Sequence, residues 1–336
     1  MINGHGDDIY KYKNIRVNFS SNIYMHFDQE GLFCHLANTI DNVVNYPEPS
    51  PLSLEMELSG MIGVKPEEVM VTNGATEAIY LIAQTFRHAK SAIVQPTFAE
   101  YADACRIHEH EIRNIHEPLT VPYDSNMVWV CNPNNPTGSV MEKDLLLELI
   151  AKNPDALFVV DASYESYTDK ELITPKEAVD LPNVLMLHSM TKEFAIPGLR
   201  LGYVTANETL LQQVRLQRMP WSVNQVAIDA GHYLLMHKDE YTLDLNGLLI
   251  EKERMQQKLK SVGVIDVWPS DTNILLCKLR FGNAPSLKDY LAREHGILIR
   301  DASNFDGLDN TFFRIAVQTP EEDDLLINAI IEWLAQ

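Results

Sequence analysis

The segment Ser189-Met-Thr-Lys192-Glu-Phe-Ala-Ile-Pro-Gly198-Leu-Arg200-Leu-Gly202 decides the fold of this 336-residue chain. It places a lysine just after a predicted strand, and an arginine between two glycines eight residues later. A lysine just after a strand is a candidate nucleophile. To attack a carbonyl, its amine must be in the neutral form. The segment alone is also compatible with a surface lysine and a salt-bridged arginine in a loop.

Short apolar strands alternate with helical patterns on both sides of this segment. This alternation predicts a mostly parallel sheet covered by helices on both faces. The predicted strands are 69–72, 91–95, 127–131, 157–160, 184–188 and 201–205, and the helices between the earlier ones are 76–87, 98–108 and 142–152.

The last third of the chain has a different pattern. It predicts one long charged helix over 239–262, then strands at 273–279, 296–300 and 312–317, a helix over 286–294 and a terminal helix after Thr319-Pro320. We therefore expect an α/β protein with a large domain and a smaller α+β domain. The predicted parts are an N-terminal segment (1–40) joining the small domain and the active site, a large domain (41–235) and a small domain (236–336).

Composition excludes several classes of function. Asp and Glu total 47 against 27 Lys and Arg, a formal charge of −20 that opposes binding to nucleic acid or anionic lipid. The four cysteines are far apart and the eleven histidines lack metal-site spacing, so we expect neither a disulfide framework nor a metal. The acidic first eight residues lack the basic and apolar regions of a signal peptide, and no apolar run could span a bilayer, which predicts a cytoplasmic protein.

Four further motifs occur at predicted strand ends or within a strand. They are Asn73-Gly-Ala75-Thr76-Glu77, Asn132-Pro-Asn-Asn135-Pro-Thr-Gly138, Asp161-Ala-Ser-Tyr164 and Phe312-Phe-Arg314-Ile-Ala-Val317. The first could form an anion site from backbone N–H groups at a helix start. Each motif alone also has a structural explanation, as a helix cap, a proline-rich turn, a strand-end aspartate or a structural arginine.

Taken in their order along the chain, these four motifs and the Lys192 segment resemble those of fold type I pyridoxal 5′-phosphate (PLP) enzymes of the aminotransferase class I/II superfamily. The resemblance implies a mostly parallel mixed sheet sandwiched by helices, a smaller α+β domain, and a covalent link between Lys192 and the cofactor. It implies that Ser189 and Arg200 hold the phosphate, that Asp161 pairs with the pyridinium nitrogen, and that Tyr101 stacks on the ring. The implied catalytic residues are Lys192, Asp161 and Tyr164. The implied cofactor-binding residues are Ala75, Thr76, Tyr101, Asn135, Asp161, Tyr164, Ser189, Lys192, Arg200 and Tyr46.

Segments outside this common core resemble the threonine-phosphate decarboxylases of cobalamin biosynthesis, which are relatives of histidinol-phosphate aminotransferases. The segments are His5-Gly6, Asn18-Phe-Ser-Ser-Asn22-Ile, Pro220-Trp-Ser-Val-Asn224 and Ile299-Arg300-Asp-Ala-Ser-Asn-Phe-Asp-Gly307-Leu. Two departures occur. The chain has Asp161-Ala-Ser-Tyr164 where the family has DEAF or DEAY, and His5-Gly-Asp-Asp8 where it has HGGN, which places two acids near the expected phosphate site.

The resemblance implies a small phosphorylated amino-acid substrate. Arg314 would pair with the α-carboxylate and Arg300 with the phosphate, since a guanidinium matches both anions. The implied substrate-binding residues are His5, Gly6, Asn22, Asn135, Arg300 and Arg314.

Two reactions are compatible with these residues. One is decarboxylation of O-phospho-L-threonine to aminopropanol phosphate; the other is transamination of histidinol phosphate or a related amino acid with 2-oxoglutarate. Tyr46 matches a tyrosine that reaches the cofactor phosphate of the other subunit in relatives, which implies a homodimer with shared active sites. The acidic charge and the lack of a basic appendage oppose a third possibility, a cofactor-binding regulatory domain.

Overall fold

The structure, a computed structural model, describes residues 7–116 and 120–335. Its strands are β1 (Val17–Asn18), β2 (Val69–Thr72), β3 (Lys90–Val94), β4 (Glu111–Ile115), β5 (Met127–Cys131), β6 (Leu157–Asp161), β7 (Val184–His188), β8 (Gly202–Ala206), β9 (Ile265–Val267), β10 (Ile274–Leu279), β11 (Ile297–Leu298), β12 (Arg300–Asp301) and β13 (Phe312–Ala316). Its α-helices are α1 (Glu30–Thr39), α2 (Leu52–Ile62), α3 (Gly74–Thr85), α4 (Glu100–Ile107), α5 (Lys143–Lys152), α6 (Pro175–Asp180), α7 (Met190–Glu193), α8 (Glu208–Arg215), α9 (Gln225–Met236), α10 (Leu245–Ser261), α11 (Ala284–Tyr290) and α12 (Pro320–Leu334).

The larger sheet has the order β2-β8-β7-β6-β5-β3-β4. All neighbouring pairs are parallel except those of β8, which runs antiparallel to both β2 and β7. Successive residues of β5 face opposite sides: Met127 and Trp129 pack with α3, α4 and α8, whereas Val128 and Val130 pack with α5 and α6. The predicted mixed, mostly parallel sheet between two helical layers is confirmed.

A smaller antiparallel sheet, β12-β13-β10-β9, packs with α10, α11 and α12 around its own core. Beside it, β1 pairs in parallel with β11. The N-terminal segment is therefore attached to the C-terminal part of the chain. Most buried residues of this core lie after residue 236, although Tyr164 and Tyr167 also contribute to it. This distribution supports the division that we propose, with a large domain over 41–235 and a small domain over 236–336.

Most element boundaries are shifted by a few residues from the sequence predictions, and two differences are larger. The helix predicted over 239–262 begins only at Leu245, because the Asp244 carboxylate caps it by accepting from Gly247 N at 3.0 Å. The strand predicted over 296–300 is divided, since its first part pairs with β1 and its last part with β13. No bounds were predicted for strands β1, β4 and β9; β4 and β9 are edge strands of their sheets.

One close backbone approach brings two of the sequence motifs together. A Cβ at Gly202 would lie 2.7 Å from Ala75 N and 2.8 Å from His188 O. Only glycine allows β8 to pass this close to both the end of β7 and the start of α3. The Lys192 segment and the Gly74 turn are consequently adjacent.

None of the helices that the structure describes combines the length and apolarity needed to cross a bilayer.

Candidate active site

A cavity of about 530 Å³ lies at the carboxyl ends of β5, β6 and β7, the edge where open α/β sheets bind ligands. It is bounded on the other side by β12, β13 and the N-terminal segment. The predicted site residues that line it are Asn22, Ala75, Thr76, Tyr101, Asn135, Asp161, Tyr164, Ser189, Lys192, Arg200, Arg300 and Arg314.

Lys192 projects into this cavity from α7, the short helix that follows β7. Its Nζ donates to Ser21 O at 2.9 Å and lies 5.7 Å from the centre of the Tyr164 ring. Desolvation and then the positive charges of Arg314 and Arg200 lower the pKa of Lys192 to about 7, against the opposing effect of nearby carboxylates. A large fraction of the amine is therefore neutral near neutral pH.

An anion-binding end of the cavity forms where α3 begins. Gly74 has φ +76°, and a Cβ there would lie 2.6 Å from Arg200 Nη2, so glycine allows the guanidinium to reach the first turn of the helix. Ala75, Thr76 and Ser189 line the same end. The helix N-terminus and the arginine both favour a bound phosphate.

Asp161, the last residue of β6, is buried beside the cavity. Its Oδ1 accepts from Ser163 N at 2.9 Å and its Oδ2 from the Tyr101 hydroxyl at 2.7 Å. The Tyr101 ring stacks on Trp129, with centroids 5.5 Å apart. Sequence reasoning expected only the ring of Tyr101 to act; the hydroxyl contact with Asp161, between residues 60 positions apart, was not predicted.

Two arginines face the opposite end of the cavity from adjacent strands. Arg300 of β12 and Arg314 of β13 are direct partners across the antiparallel pair, and both are buried. Arg314 donates to Asn135 Oδ1 and Ser20 O, each at 2.5 Å, while Arg300 donates to Asn304 Oδ1 at 2.6 Å. Burial, with a further contribution from Arg300, lowers the pKa of Arg314 to about 9.

Three predicted positions require separate mention. Tyr46 is 85% exposed and contacts Trp221 rather than the cavity of its own chain. His5 and Gly6 lie outside the described residues.

The two acidic residues that follow Gly6, Asp7 and Asp8, have different surroundings. Asp7 lines the cavity, whereas Asp8 is buried against Lys288, with contacts of 2.6 and 2.8 Å. Burial by itself would raise the pKa of Asp8, but the hydrogen bonds from Lys288 and Lys11 leave it lowered. The charge of Asp8 is therefore neutralised within the protein.

These groups fit pyridoxal 5′-phosphate in their donor chemistry. Arg200 and the start of α3 suit its phosphate, Asp161 suits a protonated pyridine nitrogen, and the Lys192 amine suits its aldehyde. Three buried polar atoms lining the cavity also have no hydrogen-bond partner among the described residues: Ser21 Oγ, Asn22 Oδ1 and Arg314 Nε. Such atoms indicate a polar ligand.

Comparison with known proteins agrees with this geometry. The family model "Aminotransferase class I and II" matches residues 14–330. The crystal structure of L-threonine-O-3-phosphate decarboxylase from Porphyromonas gingivalis superposes with a TM-score of 0.93 and 37% identity, over 95% of this chain and 100% of that one. Threonine-phosphate decarboxylase from Salmonella typhimurium is 30% identical over 88% of this chain and 85% of its own. Histidinol-phosphate aminotransferase from Caldanaerobacter subterraneus is 32% identical over 86% of this chain and 84% of its own.

The protein is a PLP-dependent enzyme of fold type I. The chain belongs to the class I and II aminotransferase family, within which it is similar to both threonine-phosphate decarboxylases and histidinol-phosphate aminotransferases.

The lowered pKa of Lys192 gives a first prediction. Apoprotein exposed briefly to PLP and reduced with borohydride should carry the label on Lys192, with an attachment rate that rises through a midpoint near pH 7. Peptide mapping by mass spectrometry measures the label, and N-acetyl-lysine, whose amine has a pKa near 10.4, controls for titration of the reagent. Stoichiometric label on another lysine, or a midpoint equal to that of the free amine, would contradict the assignment.

Proposed function

We propose that this enzyme decarboxylates O-phospho-L-threonine to aminopropanol phosphate, a reaction of cobalamin biosynthesis, with Lys192, Asp161 and Tyr164 as its catalytic residues. The observation that carries the proposal is the direct pairing of Arg300 and Arg314 across two neighbouring strands.

Like charges that face each other across an antiparallel pair repel, and burial removes the water that would screen them. A ligand with two anionic groups relieves this repulsion. O-phosphothreonine carries a carboxylate and a phosphate, one for each arginine. Histidinol phosphate has a phosphate but no carboxylate, so alone it would supply an anion for Arg300 but none for Arg314. The similarity to threonine-phosphate decarboxylases supports the same reading.

The same pair of arginines is also compatible with the aminotransferase alternative. Glutamate and 2-oxoglutarate each have two carboxylates and could also occupy both arginines. Histidinol-phosphate aminotransferases are among the relatives of comparable identity.

The side chains divide the chemical work as follows. Arg314 would hold the substrate carboxylate, and Asn135 and the Ser20 carbonyl fix the orientation of its guanidinium. Asp161, at the end of β6, would pair with the protonated ring nitrogen. When bound, the cofactor supplies a conjugated ring that accepts the electron pair released at the substrate α carbon. With a pKa near 7, the Lys192 amine can hold a proton and return it to that α carbon.

A substrate assay tests the proposal. Holoenzyme incubated with O-phospho-L-threonine should release carbon dioxide, whereas incubation with histidinol phosphate and 2-oxoglutarate should form little glutamate. Carbon dioxide is measured by a coupled carboxylation assay and glutamate by chromatography. Glutamate formation without carbon dioxide release would show that the enzyme is an aminotransferase and not a decarboxylase.

Arginine variants test the division of the two anions. Arg300→Ala should weaken the binding of phosphorylated substrate by about 2–5 kcal/mol, because it leaves the phosphate without its cation in a buried site. The slow reaction with L-threonine should be nearly unchanged. Arg314→Ala should impair both substrates. Steady-state kcat/KM measures each effect, and Arg280→Ala, which removes an exposed arginine paired with Asp266, is the matched control. Equal losses for both substrates in Arg300→Ala would refute its phosphate role.

We also propose a homodimer with shared active sites. Val44, Tyr46, Met219 and Trp221 are 50–85% exposed. The Trp221 ring lies against that of Tyr46 in a tilted arrangement, with centroids 5.4 Å apart, and its backbone N–H donates to Pro49 O at 3.0 Å, so residues near 46 and near 221 form one surface. Exposed apolar clusters of this kind typically mark a protein interface. A second copy that covers this face would bring Tyr46 to the anion end of its partner's cavity, as the family resemblance implies.

The dimer proposal predicts a change of mass in one variant. Tyr46→Asp should convert a dimer into a monomer, because it places a charge within the apolar face. Tyr123→Asp, at a tyrosine that is 99% exposed elsewhere, should leave the mass unchanged. Light scattering coupled to size-exclusion chromatography measures both variants. A wild-type monomer at micromolar concentration would rule the dimer out.

A further inference from the structure

Three consecutive residues of the N-terminal segment each contact a different side chain of the proposed site. Ser20 O accepts from Arg314 Nη2 at 2.5 Å, Ser21 O accepts from Lys192 Nζ at 2.9 Å, and Asn22 Nδ2 donates to the Tyr164 hydroxyl at 2.9 Å. The first two contacts use backbone carbonyls, which any residue type would provide. Only the third depends on the identity of the side chain.

The position of Asn22 is fixed from both sides. Upstream, Phe19 N donates to Leu298 O at 2.8 Å, which extends the pairing of β1 with β11. Downstream, the Gln318 amide donates to Ile23 O at 2.8 Å, and Tyr24 N donates to the Tyr167 hydroxyl at 3.1 Å. Asn22 itself has φ +60°, a left-handed conformation that asparagine adopts more readily than most residues. Its buried side chain lines the cavity.

The direction of the hydrogen bond constrains the phenol proton. Because the Asn22 amide donates to the Tyr164 oxygen, the hydroxyl hydrogen must point elsewhere. Among the described residues, the hydrogen bonds of Tyr164 include no acceptor for it, and Tyr164 lines the cavity. Burial raises the pKa of Tyr164, and the hydrogen bond from Asn22 and the charge of Arg314 reduce this effect only in part, so the phenol keeps its proton.

We propose that Asn22 is a positioning residue that turns the Tyr164 hydroxyl into a hydrogen-bond donor toward the cofactor. The inference rests on the proposal above that Tyr164 is a catalytic residue. It assigns to Asn22 a task different from the substrate contact that the family resemblance implies. The amide Oδ1, buried without a partner among the described residues, remains an acceptor for a ligand N–H.

Titration of the bound cofactor tests this proposal without substrate. The visible absorbance of the holoenzyme is recorded against pH for wild type, Asn22→Ala, Tyr164→Phe and the double variant. A hydrogen-bond donor to the hydroxyl oxygen on the cofactor ring stabilises the anionic form of that oxygen, which lowers the pH at the midpoint of the absorbance change. Tyr164→Phe should therefore raise this midpoint. Asn22→Ala should raise it by roughly 0.5–1 pH unit, equivalent to one net hydrogen bond. In the Tyr164→Phe background it should add nothing.

Gln318→Met provides the matched control for a loosened segment. It removes the hydrogen bond to Ile23 O, next to Asn22, but Gln318 does not line the cavity. Gln318→Met should lower the melting temperature of the apoprotein while leaving the absorbance midpoint in place.

Four results would overturn the role of Asn22. They are an unmoved midpoint in Asn22→Ala, an unmoved midpoint in Tyr164→Phe, an undiminished shift from Asn22→Ala in the Tyr164→Phe background, and an equal shift in Gln318→Met. An enzyme that transaminates rather than decarboxylates would disprove the proposed reaction but not this inference, because the titration precedes any substrate.

Discussion

Desolvation of cationic side chains around one cavity is the constraint on which the rest of the site depends. Lys192, Arg200 and Arg314 all have pKa values lowered by burial. Backbone carbonyls and amide oxygens receive most of their hydrogen bonds, and these acceptors carry no full charge. The protein therefore holds Arg200 and Arg314 mainly through uncharged acceptors, which leaves their charge available for anionic ligands.

The N-terminal segment makes this arrangement possible because it connects both sides of the cavity. Strand β1 attaches it to β11, and the buried pair of Asp8 with Lys288 anchors it to α11. From there, residues 20–22 contact Lys192 and Tyr164, which come after strands β7 and β6 of the larger sheet. The geometry of the amine consequently depends on contacts between parts of the chain more than 140 residues apart.

The motifs predicted the sheet and most of the cavity because parallel strands end at a common edge. Asp161 ends one such strand and Lys192 follows another, and this alone places the two residues close together. Strand register is not encoded locally, so the direct pairing of Arg300 with Arg314 could not be predicted from the pattern. The contacts of Tyr101 with Asp161 and of Asn22 with Tyr164 were missed for a similar reason, since hydrogen bonds between distant residues leave no periodic signal.

The chain has a net negative charge, whereas the arginines give the cavity a positive charge. The two are compatible because electrostatic interactions are screened with distance. A net charge of −20 repels a doubly anionic substrate at long range, but at physiological ionic strength such repulsion is screened beyond about 8 Å. Inside the cavity, desolvation leaves the attraction of Arg300 and Arg314 much less screened. An anion thus gains binding energy only after it has entered the cavity. Selectivity must therefore come from how well its two charged groups match the arginine pair, and little from attraction by the surface as a whole.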